Sequence, residues 1–186
     1  MKAHAELAQV WPRDGRLRLI GHLHGPRPAP GPAAHPAEGP AGETELVLLV
    51  ALRGAPQGGQ APGVPGASTA AGGGSAPAAR PGPLRYPVTL DGREFDAWLP
   101  VADLVPARLA DPVTWDLWLA PPESAGGRPR LRVGRVLDDI RNKKSIMVFP
   151  GQRVSAGTLT AVVRPYYTIK DNLSVEVRAA EPGAAR

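Results

Sequence analysis

Short stretches of strict polar–apolar alternation constrain this chain more than any other feature. Arg16-Leu17-Arg18-Leu19, Arg130-Leu131-Arg132-Val133 and Leu173-Ser174-Val175-Glu176-Val177-Arg178 all repeat with period two. That period puts one face of an extended strand in a core and the other in water. The segment 43–53 is more continuously apolar, as a strand covered on both faces would be. Further strands are expected over 84–90, 93–99, 114–119, 145–149, 157–163 and 166–169. Asp14-Gly15 and Asp91-Gly92 are strong hairpin cues, and Asp171-Asn172 and the polar stretch 141–144 mark further turns. Only 101–110 has room for a helical turn, and Pro106 keeps it short. This pattern predicts an all-β fold, an antiparallel β-sandwich. Parallel pairing is disfavoured because no crossover helices are available.

Gly (22) and Pro (23) make up about a quarter of the 186 residues, roughly twice ordinary usage. More than half of them fall in two tracts, 25–42 and 54–83. Neither tract can bury enough apolar area to offset its ordering entropy. Both are expected to be long disordered loops inserted in one domain over 1–180, with a disordered tail at 181–186. The remaining sequence is too short for a TIM-barrel catalytic fold, and the clustering excludes a collagen-like chain.

Cysteine is absent, which excludes disulfides, thiolate nucleophiles and Cys-ligated zinc. The first residues carry no apolar signal-peptide core. The longest apolar run, 46–52, is far below the ~20 residues a membrane-crossing helix needs. A cytoplasmic location is the expectation.

Catalytic patterns are missing. No serine lies in a G-x-S-x-G setting, and the adjacent Asp138 and Asp139 would point to opposite faces of a strand. Gly72–Gly74 is followed by no lysine and is not a phosphate loop. His22 and His24 share a strand face, but nothing in the sequence fixes a third ligand beside them. No catalytic residue, metal or cofactor is therefore assigned, and the two histidines read as strand-end polar residues.

Two surfaces stand out as binding candidates. The window 128–153 holds eight bases against two acids. Such a single-sign strip attracts anions, with Arg130, Arg132, Arg141, Lys143 and Lys144 as the anion-binding candidates; it also suits a solvated edge strand. Aromatics do not interleave with the bases there, which disfavours nucleic acid. The second surface is aromatic. Leu117 and Leu119 can both face a core only if Trp118 faces away, and the same holds for Trp98 between Ala97 and Leu99. Trp11 and Trp115 read as core. Tyr166-Tyr167 straddles both faces, so one ring is core and one exposed. Trp98, Trp118 and Tyr167 are the candidate ligand or partner contacts.

The C-terminal half carries a longer pattern. Phe95-Asp96-Ala97 is followed by Trp115-Asp116-Leu117-Trp118-Leu119, Leu131-Arg132-Val133-Gly134, Arg164-Pro165-Tyr166-Tyr167-Thr168 and Asn172-Leu173-Ser174-Val175. Over roughly 84–179 this resembles the non-catalytic β-sandwich modules of bacterial, especially actinobacterial, glycosyltransferases and teichoic-acid-type glycerophosphotransferases. The resemblance implies an immunoglobulin-like sandwich and a non-enzymatic accessory or binding role in cell-wall glycopolymer synthesis. The implied partner is a glycosyltransferase or an anionic glycopolymer. It brings over no catalytic residue, and no Asp-x-Asp motif is present. The alternatives are a polyanion- or nucleic-acid-binding protein using the basic strip, and a small enzyme of unknown class. Independently of the resemblance, Gly134 inside an alternating strand points to a bulge or a close backbone approach.

Overall fold

A computed structural model describes residues 4–25, 46–54, 82–121, 130–135 and 147–181. The two Gly/Pro tracts, the 141–144 turn and the tail, read above as disordered or polar segments, lie almost wholly outside these residues.

Ten strands are described: β1 (His4–Arg13), β2 (Arg16–His24), β3 (Val47–Leu52), β4 (Leu84–Asp91), β5 (Glu94–Pro100), β6 (Val113–Ala120), β7 (Leu131–Arg135), β8 (Gln152–Ala156), β9 (Leu159–Tyr167) and β10 (Leu173–Ala179). A 3-10 turn at Val101–Leu104 is the only helical element among the described residues. The Asp-Gly cues form the expected hairpins. Asp14 and Gly15 take φ of 55° and 70° between β1 and β2, and Gly92 takes φ of 57° between β4 and β5.

The fold is all-β, but it is not the immunoglobulin-like sandwich that the sequence suggests. Seven strands close a barrel in the order β3-β4-β5-β2-β1-β7-β6, and β6 pairs back onto β3. Two strands make the corners by switching partners midway. β4 pairs with β3 through Leu84–Pro87 and with β5 through Val88–Asp91. Pro87 has no N–H to donate and sits where the partner changes. β7 pairs with β6 through Leu131 and Arg132, then with β1 through Val133–Arg135. The β1–β7 pairing is parallel, against the antiparallel expectation. No crossover helix is needed, because most of the barrel intervenes between these two strands in sequence.

A three-strand extension leaves the ring at β6, in the order β10-β9-β8. β6 serves β3 along one edge, and on the other it serves β10 at Val113–Asp116 and β7 at Trp118–Leu119. At this branch point Gly134 bridges to Asn172. A Cβ there would stand 3.1 Å from the Asp171 carbonyl oxygen, so the glycine marks a close backbone approach. The 145–149 strand expectation is displaced. Residues 147–150 are not strand, and the strand of this region is β8.

Alternation fills the barrel. Leu17 and Leu19 from β2, Phe95, Ala97 and Leu99 from β5, and Trp115, Leu117 and Leu119 from β6 are all buried in one cluster with Leu48 and Val50 of β3. Trp115 also donates its indole N–H to the Leu104 carbonyl at 2.9 Å. This satisfies the ring's one polar group inside the core.

Candidate ligand-binding face

The outward residues of β1, β2 and β5 form cross-strand rows. Pairing register places Trp11 opposite Arg18, and Arg18 opposite Trp98. The result is a Trp–Arg–Trp row across three adjacent strands, with Arg13 and Arg16 paired in the next row toward the hairpin tip. Trp98 is 46% and Trp11 45% exposed. The Arg18 guanidinium carbon lies 4.8 Å from the Trp98 ring centroid, and that of Arg16 lies 5.8 Å from it. Arg13 stands 5.2 Å over the Trp11 ring. These are cation–π distances. Together the side chains border an open groove of about 430 Å³, with Gln9 and Asp14 completing the lining.

Trp11 and Arg18 are held by neighbouring side chains. Trp11 donates its indole N–H to Gln9 Oε1 at 2.9 Å. Arg18 donates Nε and a terminal nitrogen to both oxygens of Asp96, at 2.5–3.1 Å. Those hydrogen bonds raise the Arg18 pKa above its ordinary value against a smaller lowering by burial. Arg18 is thus neutralised in place, and it orients the row rather than supplying net charge. Among the described carboxylates Arg13 meets Asp14 alone, at 3.8 Å with both side chains largely exposed, and such a pair contributes little. Arg16 has no carboxylate partner among the described residues. The hairpin tip itself is clamped by Gln152 of β8, which donates to the Arg16 carbonyl and accepts from the Gly15 N–H, both at 2.9 Å.

A β-bulge builds this face. The β1–β2 register slips between Leu7 and Gln9, leaving Ala8 as an extra residue. Before the bulge Ala5 and Leu7 point inward; after it Val10 and Pro12 do, and Trp11 turns out. The core reading of Trp11 is corrected accordingly.

The other sequence candidates separate. Trp118 lies on β6, on the far side of the ring from Trp98, so the two do not share a surface. It is half-buried, and Arg132, directly opposite it in register, covers its ring at 4.5 Å. Tyr167 is not a surface contact: it is 4% exposed and packs beside Phe149. It continues the inward set of Ala161, Val163 and Pro165, so Tyr166 is the outward ring.

Arg132 is not available as an anion site either. It donates to Asp116 Oδ1 at 2.6 Å, to Ser174 Oγ at 2.9 Å and to the Leu117 carbonyl at 3.1 Å. Asp116 also accepts from Arg53 and Ser174. Burial pushes the Asp116 carboxyl up. Hydrogen bonds from Arg53 and Ser174 and the Arg132 charge outweigh this and hold it below its ordinary value. Burial likewise lowers the Arg132 pKa, with Asp116 opposing. The cluster ties β3, β6, β7 and β10 together where the ring branches. Arg130 is exposed; Arg141, Lys143 and Lys144 lie outside the described residues.

One group among the described residues gathers metal-type ligands. His4 and His24 are register partners, and Glu6 stands on the same face. Their ligand atoms lie within 4.8 Å of one another. His22 instead turns to Glu94, at 3.0 Å.

No known family profile matches this sequence, and no curated protein matches it. Solved structures share the fold, two of S. aureus TarS among them. A structure of S. aureus TarS superposes with a TM-score of 0.55 at 11% identity, covering 96% of this chain and 25% of that one. A structure of S. aureus TarS residues 217–571 gives 0.56 at 11% identity, covering 97% of this chain and 40% of that one. The chain therefore spans well under half of the proteins it matches, and at this identity the likeness is one of fold. Among the described residues no helix is long and apolar enough to cross a membrane.

Proposed function

We propose that this chain is a non-catalytic binding module of cell-wall glycopolymer synthesis, and that the β1–β2–β5 face holds an anionic sugar-phosphate polymer. The Trp11–Arg18–Trp98 row carries the reading. Two exposed indoles flank a fixed guanidinium, giving flat apolar surfaces against which sugar rings stack. Arg13 and Arg16 stand in the next row, one strand spacing apart, and supply charge for the phosphates. The fold likeness to TarS, a teichoic-acid glycosyltransferase, supports the association with such synthesis, as does the resemblance of the C-terminal motifs.

A second reading has its own support. Aromatics interleaved with bases are what a single-stranded nucleic-acid platform requires, and this face has them where the basic strip does not. One experiment separates the two. Binding of a glucosyl-substituted polyglycerol phosphate, which offers both rings and phosphates, and of a single-stranded oligonucleotide is measured at matched charge and salt. Trp98→Ala and Trp11→Ala should each weaken the glucosyl-substituted polymer about tenfold, or about 1.4 kcal/mol. Tighter oligonucleotide binding with the same losses would establish the second reading instead. Unchanged binding of both in the two variants would remove this face from function.

A further inference from the structure

We propose that His4, Glu6 and His24 form a binding site for a divalent transition-metal ion of the zinc class. The sequence shows only His22-x-His24; strand pairing supplies the rest. Antiparallel register sets His4 opposite His24, and the period of two brings Glu6 to the same face. Glu6, its side chain 10% exposed, sets its carboxylate against both imidazoles. Its Oε1 is 2.6 Å from His4 Nε2 and its Oε2 is 3.2 Å from His24 Nε2. The two rings stack with centroids 5.2 Å apart and planes 16° from parallel, and both Nε2 atoms stand against the one carboxylate.

The donor set fits such an ion. Zinc takes imidazole nitrogen and carboxylate oxygen at about 2.0–2.2 Å, which puts tetrahedral ligand atoms about 3.3–3.6 Å apart. The separations here, 2.6 Å at the short end and within 4.8 Å overall, reach that geometry by side-chain rotations that tilt the two stacked imidazoles toward each other. With no thiolate in the chain, imidazole sets the preference toward zinc, nickel, cobalt or iron over calcium or magnesium. Three protein ligands leave the ion an open position, as exchangeable and catalytic sites do. The anchors are stiff. All three residues sit on the β1–β2 ladder, and Gly21 beside it lets the Glu6 backbone approach closely.

The test uses the full chain without a polyhistidine tag, titrated with Zn²⁺ against a chromophoric chelator, and with Co²⁺ by visible absorption. The wild type should take up one equivalent. His24→Gln, at an exposed ring, should weaken zinc at least tenfold and abolish the cobalt bands. Glu6→Gln should do the same, and unfolding without metal shows whether that variant is folded. His22→Ala, facing Glu94, should bind as the wild type does. Zinc at a hundredfold excess over the wild-type Kd should raise the wild-type melting midpoint by about 5–10 °C, and that of His24→Gln by at most about half as much. No uptake by the wild type would overturn the proposal, and so would equal losses in His22→Ala and His24→Gln. Either result would leave Glu6 as a simple acceptor for two imidazoles.

Discussion

Gly21→Ala tests the bulge that turns Trp11 outward. Gly21 sits in the middle of β2, between Leu7 of β1 and Phe95 of β5. A Cβ at this position would overlap the Glu6 carbonyl oxygen, well inside the sum of their van der Waals radii. It would also stand 2.6 and 2.7 Å from Cζ and Cε1 of Phe95. The ring can rotate; the carbonyl belongs to β1 and moves only if the strand does. Relief therefore requires about 1 Å of displacement across a strand pair spaced about 4.8 Å apart. Overpacking of well-packed cores costs about 1–3 kcal/mol, more when backbone must move, so about 3 kcal/mol is expected. That is a large part of the 5–15 kcal/mol a domain has in total, and it lowers the melting midpoint by about 6–12 °C. Urea unfolding measures it. Adding Phe95→Leu removes the ring contact and should restore only part of the loss, because the carbonyl contact stays. A loss below about 1 kcal/mol, or full rescue by Phe95→Leu, would refute the close approach of β1 to β2.

Two further outcomes follow from named contacts. Gln152→Ala removes both hydrogen bonds that clamp the hairpin tip; stability should fall by about 1 kcal/mol, and polymer binding should weaken through the loosened Arg16, while a variant that binds as the wild type does would exclude β8 from positioning the face. Asp116 has a folded pKa below its ordinary value, so its contribution is complete above the unfolded pKa of about 3.9 and is lost as pH falls through the folded value. Asp116→Asn should then be less stable than the wild type at pH 7, with a gap that narrows as the pH is taken below about 4. A gap independent of pH would mean that the Arg53–Asp116–Arg132 cluster contributes by shape alone.

Much of the local structure is legible in the residues. Period two and the Asp-Gly turns locate β2, β4, β5, β6 and β10, and the register of Leu117 and Leu119 turns Trp118 away from the core. What fails is of two kinds. A bulge erases alternation: β1 carries an extra residue at Ala8, so neither the strand nor the outward turn of Trp11 can be seen along His4–Arg13. Pairing between distant strands is not written in any one segment. Closure of the ring depends on β4 and β7 switching partners. The neutralisation of Arg132 depends on Asp116 and Ser174 arriving from β6 and β10. The third metal-type ligand, Glu6, becomes visible only once β1 lies against β2. Three residues were within reach. The Arg16-Leu17-Arg18-Leu19 run already aims both arginines outward, and the inward set 161, 163, 165 and 167 already buries Tyr167.

Indole N–H resonances give the most direct measurement of the central claim. The chain has four tryptophans, and each contributes one indole cross-peak in a ¹H–¹⁵N spectrum. Trp11→Phe and Trp98→Phe assign the two that matter. On titration with glucosyl-substituted polyglycerol phosphate, the Trp11 and Trp98 peaks should move together along one binding curve. The peak of Trp115, 1% exposed and bonded to the Leu104 carbonyl, should stay fixed. Movement of Trp118 alone, or of no indole while the polymer demonstrably binds, would contradict the assignment of the β1–β2–β5 face as the glycopolymer surface.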